Sequence, residues 1–121
     1  MSESNAVDRK FTREIISGTT SLALLAILDQ SDQPMYGYRI AKEMSGDSDD
    51  FQLIKQGALY PVLKSLEKNG LLESTVEPSV SGPPRRYYSI TEDGTTALSR
   101  WKRIWDETSA VVNRILGGKV R

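Results

Sequence analysis

The apolar period of this chain changes once, abruptly, between Gly57 and Ile90. Ala58, Leu59, Val62, Leu63 and Leu66 recur at spacings of three and four, which is one face of a helix. Asn69-Gly70 stops it, since both residues tolerate the left-handed backbone of a helix terminus. Leu71 to Glu77 and Arg85 to Ile90 then read as two strands about a Pro78 to Pro84 loop. A helix followed at once by a hairpin leaves apolar faces that need cover. In 121 residues there is room for one domain, so the flanking helices must supply that cover.

Those helices are legible. A pattern from Phe11 to about Gln30 carries Ile15, Ile16, Leu22, Leu24, Leu25, Ile27 and Leu28, with Gly18 as a possible bend. Its apolar residues lie on more than one face, as in a helix buried by several partners. Asp29 to Pro34 is a turn, and a shorter helix fits Tyr36 to about Ser45, with Ile40, Ala41 and Met44 inward. Gly46 to Asp50 is an acidic loop. Pro61 is tolerable only if the third helix begins close before it. Thr91 caps a last helix from Glu92 to about Leu116, with Glu92 and Asp93 at its positive end and Gly117-Gly118 after it. The reading divides the chain into a loose arm at 1–10, a domain at 11–91, a C-terminal helix at 92–116 and a tail at 117–121. The expected class is α+β, mainly α, a winged helix-turn-helix with an added dimerisation helix.

Composition removes whole chemistries. The chain has no cysteine, hence no disulfide, thiolate nucleophile or Cys-ligated zinc. It has no histidine, hence no imidazole base and no Ser-His-Asp triad. No Gly-rich phosphate loop and no EF-hand-like carboxylate spacing occurs. No catalytic residue, metal or cofactor is therefore expected. The longest apolar run, Leu22 to Leu28, is far short of the roughly 20 residues of a bilayer span, and Met1 to Lys10 is too polar for a signal peptide. A cytoplasmic, non-membrane protein is the expectation.

The formal net charge of zero hides an asymmetry: residues 1–50 carry −4, residues 51–91 carry +2 and residues 92–121 carry +2. Opposite its apolar face the third helix shows Gln56, Tyr60, Lys64 and Lys68, the last three forming one ridge. Such a helix fits the DNA major groove. Taken alone, a ridge of this kind is most often merely solvated. Arg85 and Arg86 follow the stiff Gly82-Pro83-Pro84 loop, where they can reach phosphates or a minor groove. Ridge and basic wing together are more specific than either alone, and they make a winged helix-turn-helix. Tyr38, Lys55, Gln56, Tyr60, Lys64, Lys68, Arg85 and Arg86 are the candidate contacts to double-stranded DNA. Tyr88 shares a strand face with Ile90 and reads as core, while Tyr87 reads as outer. The rival is a winged-helix module that binds protein rather than DNA, favoured slightly by zero net charge and the acidic loop.

The last helix carries a second signal. Leu98, Trp101, Trp105, Thr108, Val112 and Ile115 alternate spacings of three and four, a coiled-coil-like seam. Ala97, Ile104 and Val111 widen it. The expected partner is a second copy of the chain, meeting it together with the first helix. Trp101 and Trp105 either fill that interface or line a cavity for a planar apolar or aromatic effector.

Four motifs in order resemble those of the PadR family of bacterial transcriptional regulators: Met35-Tyr36-Gly37-Tyr38-Arg39-Ile40, Gly57-Ala58-Leu59-Tyr60-Pro61 through Leu66-Glu67 to Gly70-Leu71, Gly82-Pro83-Pro84-Arg85-Arg86-Tyr87-Tyr88, and Thr91-Glu92-Asp93-Gly94. Ala58 stands where that family usually has Thr, and Arg86 where it has Lys. The single C-terminal helix is similar to the short PadR subfamily, in which that helix mediates dimerisation. The resemblance implies a homodimeric repressor whose recognition helices enter successive major grooves. Some relatives bind planar molecules between subunits, and Trp105 falls where a pore-lining tryptophan would.

Overall fold

The computed structural model describes residues 2–46 and 56–120. In order these form α1 (Ser2–Gln30), β1 (Met35–Tyr36), α2 (Gly37–Ser45), α3 (Gln56–Lys68), β2 (Leu72–Ser79), β3 (Gly82–Ile90) and α4 (Glu92–Leu116). The acidic residues 47–50 lie outside the described residues.

The core forms where the helical and alternating periods meet. Leu24, Leu25 and Leu28 of α1, Ile40 of α2, and Leu59, Leu63 and Leu66 of α3 are buried together with Met35, Leu72, Tyr88, Ala97 and Leu98. Thr20 is the buried polar residue beside them, and its hydroxyl donates to the Ile16 carbonyl at 2.7 Å, so its burial leaves no donor unpaired. By length and composition α1 is the one described helix apolar enough to cross a membrane. Its Leu24, Leu25 and Leu28 are packed into the core.

The hairpin is part of a three-stranded antiparallel sheet in the order β1-β3-β2. The extra strand is two residues long, with Met35 opposite Tyr88 and Tyr36 opposite Tyr87. Two residues have no period, so only the fold shows this strand. The hairpin also reaches further than its sequence suggests, with β2 continuing to Ser79 and β3 starting at Gly82. Pro83 and Pro84 cost no ladder bond to β1, which ends opposite Tyr87, and the β2 register shifts between Glu77 and Ser79.

Two further expectations are corrected. Residues 2–10 are not a loose arm but the first turns of α1. Helix elongation adds one bond per residue once nucleated, so a weakly patterned segment can extend a strong one. Leu98 does not belong to an exposed seam. It is 2% exposed within the chain's own core, as is its neighbour Ala97 at 1%, so the first turns of α4 complete the domain.

The junction before α4 rests on one threonine. The Thr91 hydroxyl donates to the Gly70 carbonyl at 2.7 Å and accepts from the Gly94 N–H at 3.0 Å. Thr91 N–H donates to the Leu71 carbonyl at 3.1 Å. The helix start is thereby capped and tied to the α3–β2 turn.

Candidate nucleic-acid interface

Three elements converge on one exposed surface: the start of α2, the ridge of α3 and the base of the hairpin. They enclose a cleft of about 490 Å³ lined by Tyr36, Gly37, Tyr38, Tyr60, Pro84, Arg85 and Arg86. Gly37 explains how α2 and α3 approach. A Cβ there would lie 2.9 Å from the Tyr60 ring and from its hydroxyl, closer than real side chains come. Tyr60 consequently lies over the α2 N-terminus, with 46% of its surface still exposed.

All five tyrosines of the chain gather here. Tyr36 stacks on Tyr38 with centroids 6.4 Å apart and meets Tyr87 edge-on at 5.6 Å. Tyr87 is therefore half-buried against β1 rather than on a free outer face. Tyr88 is core, as its strand face implied, and burial pushes its hydroxyl above the usual phenol range; Arg86 opposes that shift, while Glu67 and Tyr60 add to it.

The cations surround the aromatic group. The Arg85 guanidinium lies over the Tyr36 ring, 4.4 Å from its centroid, and the Lys42 ammonium is 5.7 Å from that of Tyr38. Arg86 Nη1 donates to Ser74 Oγ at 2.9 Å. Lys64 and Lys68 are exposed on α3. The structure thus brings together Tyr38, Tyr60, Arg85 and Arg86, with Lys64 and Lys68 further along the ridge. Gln56 begins α3. Lys55 lies outside the described residues. Sequence reasoning missed Tyr36, Gly37 and Lys42; Gly between two tyrosines was the available signal, but a close approach of two helices has no local signature.

A second concavity of about 530 Å³ separates α1 from α4. Ile15, Gly18 and Leu22 face Trp101, Ile104 and Trp105 across it, with Glu14 and Thr108 among its lining. Trp101 is half-buried against the core, whereas Trp105 is 47% exposed. Beyond it Val112 and Ile115 are each about half exposed at 48% and 49%. On α1, Val7, Phe11 and Ile15 form an exposed apolar ridge at spacings of four, in and beside the segment expected to be an arm.

Comparison with known proteins agrees with this geometry. The model of the transcriptional regulator PadR-like family matches residues 24–100, which span α3, the hairpin and the start of α4. The transcriptional regulator Rv3488 of Mycobacterium tuberculosis is 33% identical over 89 residues, covering 74% of this chain and 77% of its own. A PadR-like transcriptional regulator from Bacillus cereus superposes with a TM-score of 0.67 at 31% identity, covering 85% of this chain and 96% of its own. A PadR family regulator from Eggerthella lenta superposes with a TM-score of 0.74 at 28% identity, covering 96% and 97%. With the family's motifs in sequence order and its winged helix in the fold, the chain belongs to the PadR-like transcriptional regulators, a family of non-enzymatic DNA-binding proteins.

Proposed function

We propose that the protein is a repressor that binds a pseudo-palindromic operator as a homodimer. The convergence of α3, the α2 start and the hairpin on one cationic, tyrosine-rich surface carries this reading. In it α3 enters the major groove, with Tyr38, Lys55, Gln56 and Tyr60 near base edges or backbone, and Lys64 and Lys68 on phosphates. The wing sets Arg85 beside the backbone. A two-fold dimer then reads half-sites about 34–36 Å apart, one helical turn.

The second copy meets the chain through α4 beyond Trp101 together with the apolar ridge of α1. Support comes from the half-exposed apolar residues on both helices, since a single chain this small gains from further burial. The cleft between α1 and α4 is where a planar apolar effector binds, on Trp101 and Trp105. Such a ligand releases DNA if it favours a wing spacing that the operator does not fit.

Fluorescence anisotropy with DNA from the protein's own promoter region, across a salt series, tests the main reading. Wild type binds with a steep salt dependence, because each neutralised phosphate releases counterions. Lys64→Ala weakens binding and lowers the salt slope by about one. Weak binding that is indifferent to salt and to Lys64 would transfer the surface to a protein partner. Trp105→Ala lowers affinity for planar apolar dyes, read by fluorescence titration of the dimer; unaltered dye binding in an intact dimer would leave Trp105 as packing only.

A further inference from the structure

The two adjacent arginines of the wing point to opposite faces of β3, and the structure connects them differently. Arg85 shares its face with Tyr87 and lies over Tyr36. Arg86 shares its face with Tyr88, toward α3. On that face a directed chain of hydrogen bonds crosses three elements. Arg86 Nη1 donates to Ser74 Oγ on β2 at 2.9 Å, and Ser74 Oγ donates to Glu67 Oε2 on α3 at 2.7 Å. Glu67 and Ser74 are half-buried, while Arg86 is exposed.

The place of this chain in the sheet matters. Ser74 pairs with Tyr88, the last buried residue of the face, and Val76 pairs with Arg86. Val76 is exposed, so apolar packing has ended there and the ribbon runs on into solvent. From Tyr88 to Gly82 it extends about 20 Å at about 3.3 Å per residue. Arg85, about 10 Å along it from Tyr88, would move by about 1.7 Å for a swing of about 10° at the base, more than the roughly 0.5 Å spread of hydrogen-bond lengths.

We infer that Arg86 is a positioning residue: through Ser74 and Glu67 it holds the wing at a set angle to α3, and Arg85 is the wing's phosphate contact. This deepens the DNA-binding reading and rests on it for its functional consequence. Ser74 is suited to the centre because a hydroxyl accepts from the guanidinium and donates to the carboxylate at once. Both bonds have a charged partner, which makes them stronger than neutral ones.

Amide hydrogen exchange on the full-length protein, without DNA, tests the strut directly. Arg86→Ala speeds exchange across residues 73–87 by about ten-fold, the loss of one charge-assisted bond, and Ser74→Ala, which removes both bonds, speeds it at least as much. The double variant is no faster than Ser74→Ala, because that substitution already removes both bonds. Amides of Leu24 to Leu28 keep wild-type protection and show that the fold is intact. On promoter DNA, Ser74→Ala, which removes no charge, lowers affinity as much as Arg86→Ala at unchanged salt slope. Unchanged exchange in both variants would overturn the inference. So would a slope reduced by about one in Arg86→Ala beside a neutral Ser74→Ala, which would make Arg86 a phosphate ligand. Failure of the DNA reading shows separately, as weak binding by the wild type.

Discussion

Ile104→Asp combined with Val112→Asp turns the proposed dimer into a monomer in sedimentation velocity, with its helical circular dichroism unchanged. Both side chains are about half exposed in the single chain, at 58% and 48%, so neither supports the monomer's core. That core takes Ala97 and Leu98 from α4 instead, and both remain. In a two-fold interface each substitution occurs twice. Four carboxylates placed among apolar side chains cost at least about 4 kcal/mol, a thousandfold in dimer affinity. DNA binding falls with it, because two half-sites no longer bind as one ligand. A stable dimer of this variant would move the interface off α4. Leu98→Asp is not an equivalent test, since it would unfold the domain.

Gly94→Ala lowers stability by about 3 kcal/mol and the Tm by on the order of 12 °C, measured by calorimetry. Intrinsic propensity points the other way, because Ala is favoured over Gly in a helix by about 1 kcal/mol. Packing decides the sign. A Cβ on Gly94 would collide with the Leu71 carbonyl and come within 2.6 Å of the Ile90 side chain. The carbonyl cannot simply move, since it accepts the Thr91 N–H at 3.1 Å. The motif Thr91-Glu92-Asp93-Gly94 therefore has a structural cause. Thr91 ties the helix start to the α3–β2 turn, and Gly94 lets the two backbones meet. A variant as stable as wild type would show that α4 can shift without loss.

The four helices and the two long strands could be read in the sequence because their causes are local. Apolar period places α3 and both long strands to within about two or three residues, Asn69-Gly70 ends the helix, and Thr91 starts the last one. Tyr60, Lys64, Lys68 and the two arginines were legible as a ridge and a wing for the same reason: helix and strand geometry decide which residues share a face. The roles of Arg85 and Arg86 were not legible. Alternation says only that they face apart, and their partners Tyr36, Ser74 and Glu67 come from three other elements.

Residues with the same local pattern also receive different fates. Leu98 and Val112 sit on one three-and-four spacing, yet Leu98 is core and Val112 is half exposed, because the first turns of α4 cross the domain and the later turns run past it. By itself the sequence determined the order of the four helices and two long strands, every helix end but the start of α1, and the family motifs, since these follow from period, capping and residue type. Only the tertiary structure decided where the last helix leaves the core, which glycines admit no Cβ and which arginine is tied to α3. Those outcomes depend on distances between segments far apart in the chain, and no local period encodes such distances.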